Sequence, residues 1–223
     1  MKSSRLKLDL NEINSYIHQA ILDPHINDDS FNLICEETVQ SNCSGLCTSL
    51  IRLPEARKRV PSSSKTKLIT VLAFPFGDLP KETKLKGAKW AIINGADQLD
   101  VVPNLLNLYK GKLEIFAEEI AELCDLGIPI RAILDINRIP REKLLLAIEA
   151  CIDAGVNGIQ SGNGFGPAIT SEQILYLTNI TKGRCSIKAV GGVKRIDHAI
   201  ELLKAGCQNI GTSFGLELLK ELK

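Results

Sequence analysis

The chain has 223 residues, 44% of them hydrophobic, with 27 Lys and Arg against 26 Asp and Glu. A net charge of +1 creates no overall field to draw it onto nucleic acid or an anionic membrane, so an acidic ligand has to be met by a local site. No apolar run approaches the ~18 residues of a membrane span, and residues 1–16 lack the apolar core of a secretory signal, so the expectation is a cytoplasmic protein.

Short runs rich in Val, Ile and Leu alternate with longer segments of helical period, the pattern of parallel strands joined by crossover helices. Strands are predicted at 16–22, 45–50, 67–74, 98–102, 130–135, 158–162, 186–190 and 209–214. Between the fourth and fifth strands, Leu113, Phe116, Ala117, Ile120, Leu123 and Cys124 form one apolar stripe, which Gly127 and Pro129 terminate. The next helix starts at Pro140, carries Leu144, Ile148, Cys151 and Ile152, and ends at Gly155. Thr170 and Gln173 have the spacing of a capping box, and residues 60–67 read as a surface loop. Eight βα units in this length predict an α/β protein with a single (β/α)8 TIM barrel over residues 1–223, in which residues 1–15 precede the first strand. A doubly wound open sheet is the alternative. Both architectures place function at the C-terminal tips of the strands.

Three glycine-rich loops follow the last three strands: 162–166, 190–194 and 211–215. Each precedes a predicted helix, so backbone N–H groups and a helix dipole would together suit a phosphate; tight turns alone are the structural alternative. Charged residues inside strands are the second signal: Asp100, Arg131, Asp135 and Lys188. Period-two alternation puts Arg131 and Asp135 on one face. They constitute either an ion-pair cluster filling the barrel or a polar catalytic centre. His18 lies in the first strand and can face the interior, His25 is in a loop, and His198 reads as an exposed helical residue. The seven cysteines form no paired zinc pattern and read mostly as small core residues, with Cys47 set apart by its place in a strand.

With these residues in place the chain resembles the deoxyribose-phosphate aldolase family, from about Tyr16 to Gly215. The resemblance is carried by LCTS with Cys47, VLAFPFG at 71–77, NGADQLDVV at 94–102, SGNGFG at 161–166, IKAVGGVK at 187–194 and AGCQNIGTSFG at 205–215. It implies a (β/α)8 barrel and metal-free, cofactor-free reversible cleavage of 2-deoxy-D-ribose 5-phosphate to acetaldehyde and D-glyceraldehyde 3-phosphate. It also implies a homodimer and a role in deoxyribonucleotide breakdown. In such enzymes a lysine on strand six forms an imine, a second lysine on strand seven helps lower its pKa, and an aspartate on strand four assists proton transfer. Asp100 matches that aspartate and Lys188 the second lysine, while Arg131 keeps a positive charge where lysine is usual. Gly164, Gly191, Gly192, Gly211, Thr212 and Ser213 match the phosphate cradle, although Phe214 replaces a residue that is commonly serine.

Two places depart from the pattern. Gln160 stands where the imine-forming lysine belongs, and a carboxamide nitrogen, its lone pair delocalised, is no nucleophile. His18, Gln19 and Ala20 stand where relatives carry Asp-His-Thr. Three readings follow: an aldolase in which Lys188 has become the imine former; a catalytically inactive binder of a small phosphorylated sugar; and a metal-assisted lyase with His18, Asp100 and Asp135 as ligands.

Overall fold

The computed structural model describes residues 10–222. After a 3-10 segment at Leu10–Tyr16 come β1 (Ile17–Ile21), α1 (Asp28–Gln40), β2 (Gly45–Thr48) and α2 (Leu53–Arg59). Then follow β3 (Lys67–Leu72), α3 (Lys81–Ile93), β4 (Gln98–Val101), α4 (Leu105–Tyr109), α5 (Leu113–Cys124) and β5 (Ile130–Ile133). The chain continues with α6 (Arg141–Asp153), β6 (Gly158–Gln160), α7 (Ser171–Thr181), β7 (Ser186–Val190), α8 (Ile196–Lys204), β8 (Asn209–Thr212) and α9 (Gly215–Lys220). Each strand pairs in parallel with the next and β8 closes on β1, giving the expected eight-stranded barrel. Of the segment anticipated before β1, residues 1–9 lie outside the described residues.

Alternation along the strands divides the interior in two. Ile17, Leu46, Leu68, Leu99, Ile130, Ile159, Ile187 and Ile210 point outward and merge with helix residues such as Phe31, Phe116, Ile148 and Leu202 into one apolar layer. The lumen has a far smaller apolar cluster, Cys47, Ile69 and Val71 with Ala20, Leu22 and Phe74 against it. The outer layer therefore supplies most of the hydrophobic stabilisation, and the lumen is free to hold polar groups. Three lumenal glycines make room for them. A Cβ at Gly45 would lie 2.9 Å from the His18 ring, one at Gly158 2.9 Å from Arg131 Nε, and one at Gly211 2.5 Å from Lys188 Cε.

The helix ends follow the sequence signals. Pro140 directly precedes α6, and α7 carries the complete capping box, with Thr170 Oγ1 accepting from the Gln173 N–H and Gln173 Oε1 from the Thr170 N–H. Glu119 was not expected in the interior of α5: it is buried against the fully buried Lys84 of α3. Their charged groups are 2.8 Å apart, and Glu119 Oε1 also accepts the N–H of Asn104, the N-cap of α4 at the end of the loop after β4. Lys84→Met strands a carboxylate in an apolar layer, and an uncompensated buried charge of this kind costs about 3–5 kcal/mol. Urea unfolding at pH 7 is expected to show a loss of that size, whereas a surface pair such as Arg59–Glu36 contributes about 1 kcal/mol or less.

Candidate active site

At the C-terminal end of the barrel lies a cavity of about 500 Å³. Gln160 of β6 and Lys188 of β7, directly paired in register, share its inner wall with Cys47, Val71 and Ala20. Gly164, Gly191, Gly192, Gly211, Thr212 and Ser213 line its outer part. The sequence-identified residues thus separate into an inner amine-and-amide wall and an outer ring of glycine-rich loops.

Asp100 and Arg131 lie beneath this cavity and do not line it. Lys188 Nζ donates to Asp100 Oδ2 at 2.7 Å, Gln98 Nε2 donates to Asp100 Oδ1 at 2.7 Å, and Arg131 Nη1 stands 3.6 Å from the same oxygen. Arg131 Nη2 also donates to Asn209 Oδ1 at 3.0 Å. Burial opposes ionisation of Asp100, but the charges of Lys188 and Arg131 and the two side-chain hydrogen bonds outweigh it and hold the carboxyl below its ordinary range. The pair is almost completely desolvated, with side-chain exposures of 3% and 0%. Asp100 therefore reaches the cavity only through Lys188.

His18 occupies the same deep layer, buried, with no protein partner for Nδ1. Burial first, then Lys188 and Arg131, lower its pKa well below 6.5, so the imidazole is neutral. Because the unfolded chain binds this proton more readily than the folded one, stability rises with pH across the interval. It is fully present above about pH 6.5 and declines as pH falls toward the lowered folded value. Denaturation midpoints at pH 8 and pH 5 are expected to differ less in His18→Gln than in the wild type. Identical pH dependence in the two proteins would remove this contribution.

Several expectations are corrected. Asp135 lies just beyond the end of β5 at Ile133, and with Ile130, Ala132 and Leu134 all in the outer core, alternation keeps it on the Arg131 face but not at the Lys188 cavity. Asp135 accepts the Asn137 N–H and lines a separate cavity of about 170 Å³ with Val102, Ile133 and Asn163. His18, Asp100 and Asp135 accordingly form no ligand set, and no group of three metal-ligating side chains occurs among the described residues. Gln19 points out of the barrel, donating to Ser213 O at 2.9 Å and accepting from the Leu216 N–H at 3.2 Å, so it braces the loop after β8 from behind. Of the three substituted β1 positions, His18 lies in the deep polar layer and Ala20 lines the cavity. His198 is half-buried, with Nε2 2.8 Å from Ile169 O. Burial raises the Cys47 thiol to about 11, a protonated and unreactive state at neutral pH.

The helix-dipole contribution to anion binding also differs from expectation. The Ile196 N–H at the start of α8 donates to Glu221 Oε2, so a carboxylate already occupies that end. The positive charge at the rim comes instead from Lys194, a residue sequence reasoning passed over. Its Nζ lies 5.1 Å from the centre of the Phe214 ring, and both residues line the cavity. A lysine following Gly-Gly-Val was the available signal. Phe74 and Phe165, their ring centres 5.8 Å apart, add an aromatic edge at the mouth.

No family model matches the chain. Among curated proteins it is 33% identical over 213 residues to the deoxyribose-phosphate aldolase of Microcystis aeruginosa, covering 95% of this chain and 94% of the relative. It is 33% identical over 214 residues to that of Picosynechococcus sp., covering 95% and 93%. A solved structure described as QR15, an aldolase, superimposes with a TM-score of 0.89 at 28% identity, over 95% of this chain and 96% of that one. Near-full-length likeness at this identity, together with the closed eight-stranded barrel, establishes that the chain belongs to the deoxyribose-phosphate aldolase family.

Proposed function

We propose that the chain catalyses reversible aldol cleavage of a small phosphorylated sugar, with Lys188 as the imine-forming amine and Asp100 as its proton partner. The observation that carries this reading is the placement of Lys188: its side chain lines the cavity while its ammonium lies 2.7 Å from Asp100 Oδ2. Gln160, on the neighbouring strand, has no nucleophilic nitrogen.

The ion pair suits the chemistry in a specific way. An aldehyde and an ammonium give an iminium and water, so one positive charge is present at the nitrogen before and after. Asp100 faces a cation throughout and needs to hold the proton only while the amine adds to the carbonyl. Once the iminium exists, the C2–C3 bond breaks as the C3 hydroxyl loses its proton. Its electron pair flows into the iminium to give a neutral enamine; the C3–O unit leaves as an aldehyde. Protonation of the enamine carbon and hydrolysis then return the ammonium. Lys194 and the 191–194 and 211–213 loops would anchor the phosphate at the rim. Arg131 supports the arrangement by sharing Asp100 from below.

The same 2.7 Å pair favours a second reading, in which Lys188 stays engaged with Asp100 and a ligand is bound without turnover. Release of glyceraldehyde 3-phosphate from 2-deoxyribose 5-phosphate, followed in a coupled assay, separates the two. The first reading predicts sustained release; saturable phosphate-ligand binding with none would establish the second.

A further inference from the structure

Gln160 is 4% exposed and its Oε1 has no hydrogen-bond partner within the protein. Its Nε2 donates to Gly162 O at 2.7 Å. Turning the carboxamide over would set its oxygen against that carbonyl oxygen, so the orientation is fixed and the acceptor is the free end. The residue lines the cavity beside Lys188, its direct partner in the sheet. A buried acceptor that the protein leaves unpaired costs free energy unless a ligand supplies a donor.

Which ligand atom can donate follows from the chemistry at Lys188, and the inference rests on the imine reading above. An iminium nitrogen keeps one N–H, and Asp100 Oδ2 is already in place to take it. The carbonyl carbon carries no donor once water has left. The next atom outward is C2. The Ala20, Cys47 and Val71 side chains that share this inner wall have no strong donor for the amide oxygen.

We propose that Gln160 is a specificity-determining residue whose carboxamide oxygen accepts a hydrogen bond from a hydroxyl on C2 of the ligand. The preferred substrates are then phosphorylated sugars that retain the 2-hydroxyl, cleaved to a hydroxyaldehyde, over their 2-deoxy counterparts. A site holding an otherwise unpaired acceptor discriminates strongly against the analogue lacking the donor, and about tenfold is the lower end of that effect.

Linear alditol phosphates test this without imine chemistry, because they have no carbonyl. Titration calorimetry on the full chain compares D-ribitol 5-phosphate and D-arabinitol 5-phosphate, the two C2 epimers, with 2-deoxy-D-ribitol 5-phosphate. One epimer is expected to bind at least about tenfold more tightly than the 2-deoxy compound. In Gln160→Met, which keeps length and removes the acceptor, the advantage is expected to fall to about twofold or less. Equal affinity of all three for the wild type, failure of all three to bind, or an undiminished preference in Gln160→Met would each overturn the proposal; the wild-type comparison stands even if the variant fails to fold. The imine reading fails on different evidence, the absence of a borohydride-trapped adduct, and that result would leave the epimer preference intact.

Discussion

Lys188→Met is expected to abolish sugar-phosphate cleavage, lowering kcat by at least about a thousandfold, while the barrel stays folded. A thioether has nearly the length of the lysine stem but offers no lone pair that can form an imine. The other lysine lining the cavity, Lys194, is exposed at the rim with its ammonium over the Phe214 ring, on a different loop from the inner wall. Folding survives because Asp100 keeps the Arg131 guanidinium at 3.6 Å and the Gln98 hydrogen bond at 2.7 Å, so no charge is left alone. A steady-state assay together with circular dichroism checks both halves. Turnover within tenfold of the wild type would assign the chemistry elsewhere.

Asp100→Asn is expected to be the more damaging change for the fold. It leaves two buried cations, Lys188 and Arg131, facing one another across a neutral amide, and the neutral His18 in the same layer offers no compensating charge. Removing the shared anion of such a cluster costs about 3–5 kcal/mol, a large fraction of a typical domain's stability. The pH dependence carries the same signature. The folded-state pKa of Asp100 lies below its ordinary value of 3.8, so its contribution is fully present above about pH 4. It is lost as pH falls through the lowered folded value, where the native state must at last take up the proton. Urea midpoints at pH 7 are expected to drop in Asp100→Asn, and the variant is expected to lose less on further acidification below pH 4 than the wild type. A variant as stable as the wild type at pH 7 would mean that the cluster contributes nothing net.

The barrel was legible because its signals were local and repeated: β-branched runs about one βα unit apart, a capping box at Thr170 and Gln173, and Gly or Pro closing the helices. The charges within strands also marked the lumen: Asp100, Arg131 and Lys188 meet there, because a charge in a strand must face either a ligand or another charge. Which cavity Asp135 meets was not legible: it lies past Ile133 and opens onto the smaller cavity with Ile133 and Asn163, not onto the one that Lys188 lines. Depth was illegible too. Asp100 and Lys188 are both charges within strands, yet only Lys188 lines the cavity, and Asp100 lies below the amine it holds. The burial of Glu119 could not be read from α5 alone, since its partner Lys84 lies 35 residues earlier on α3. Glu221 at the start of α8 was hidden for the same reason: a contact across 25 residues leaves no periodic trace.

Borohydride reduction in the presence of 2-deoxyribose 5-phosphate, followed by peptide mass mapping, tests the central claim most directly. The account predicts a reduced adduct on the peptide containing Lys188 and its disappearance in Lys188→Met. An adduct on Lys194 or another lysine, with Lys188 unmodified, would contradict it, as would sustained turnover with no lysine modified.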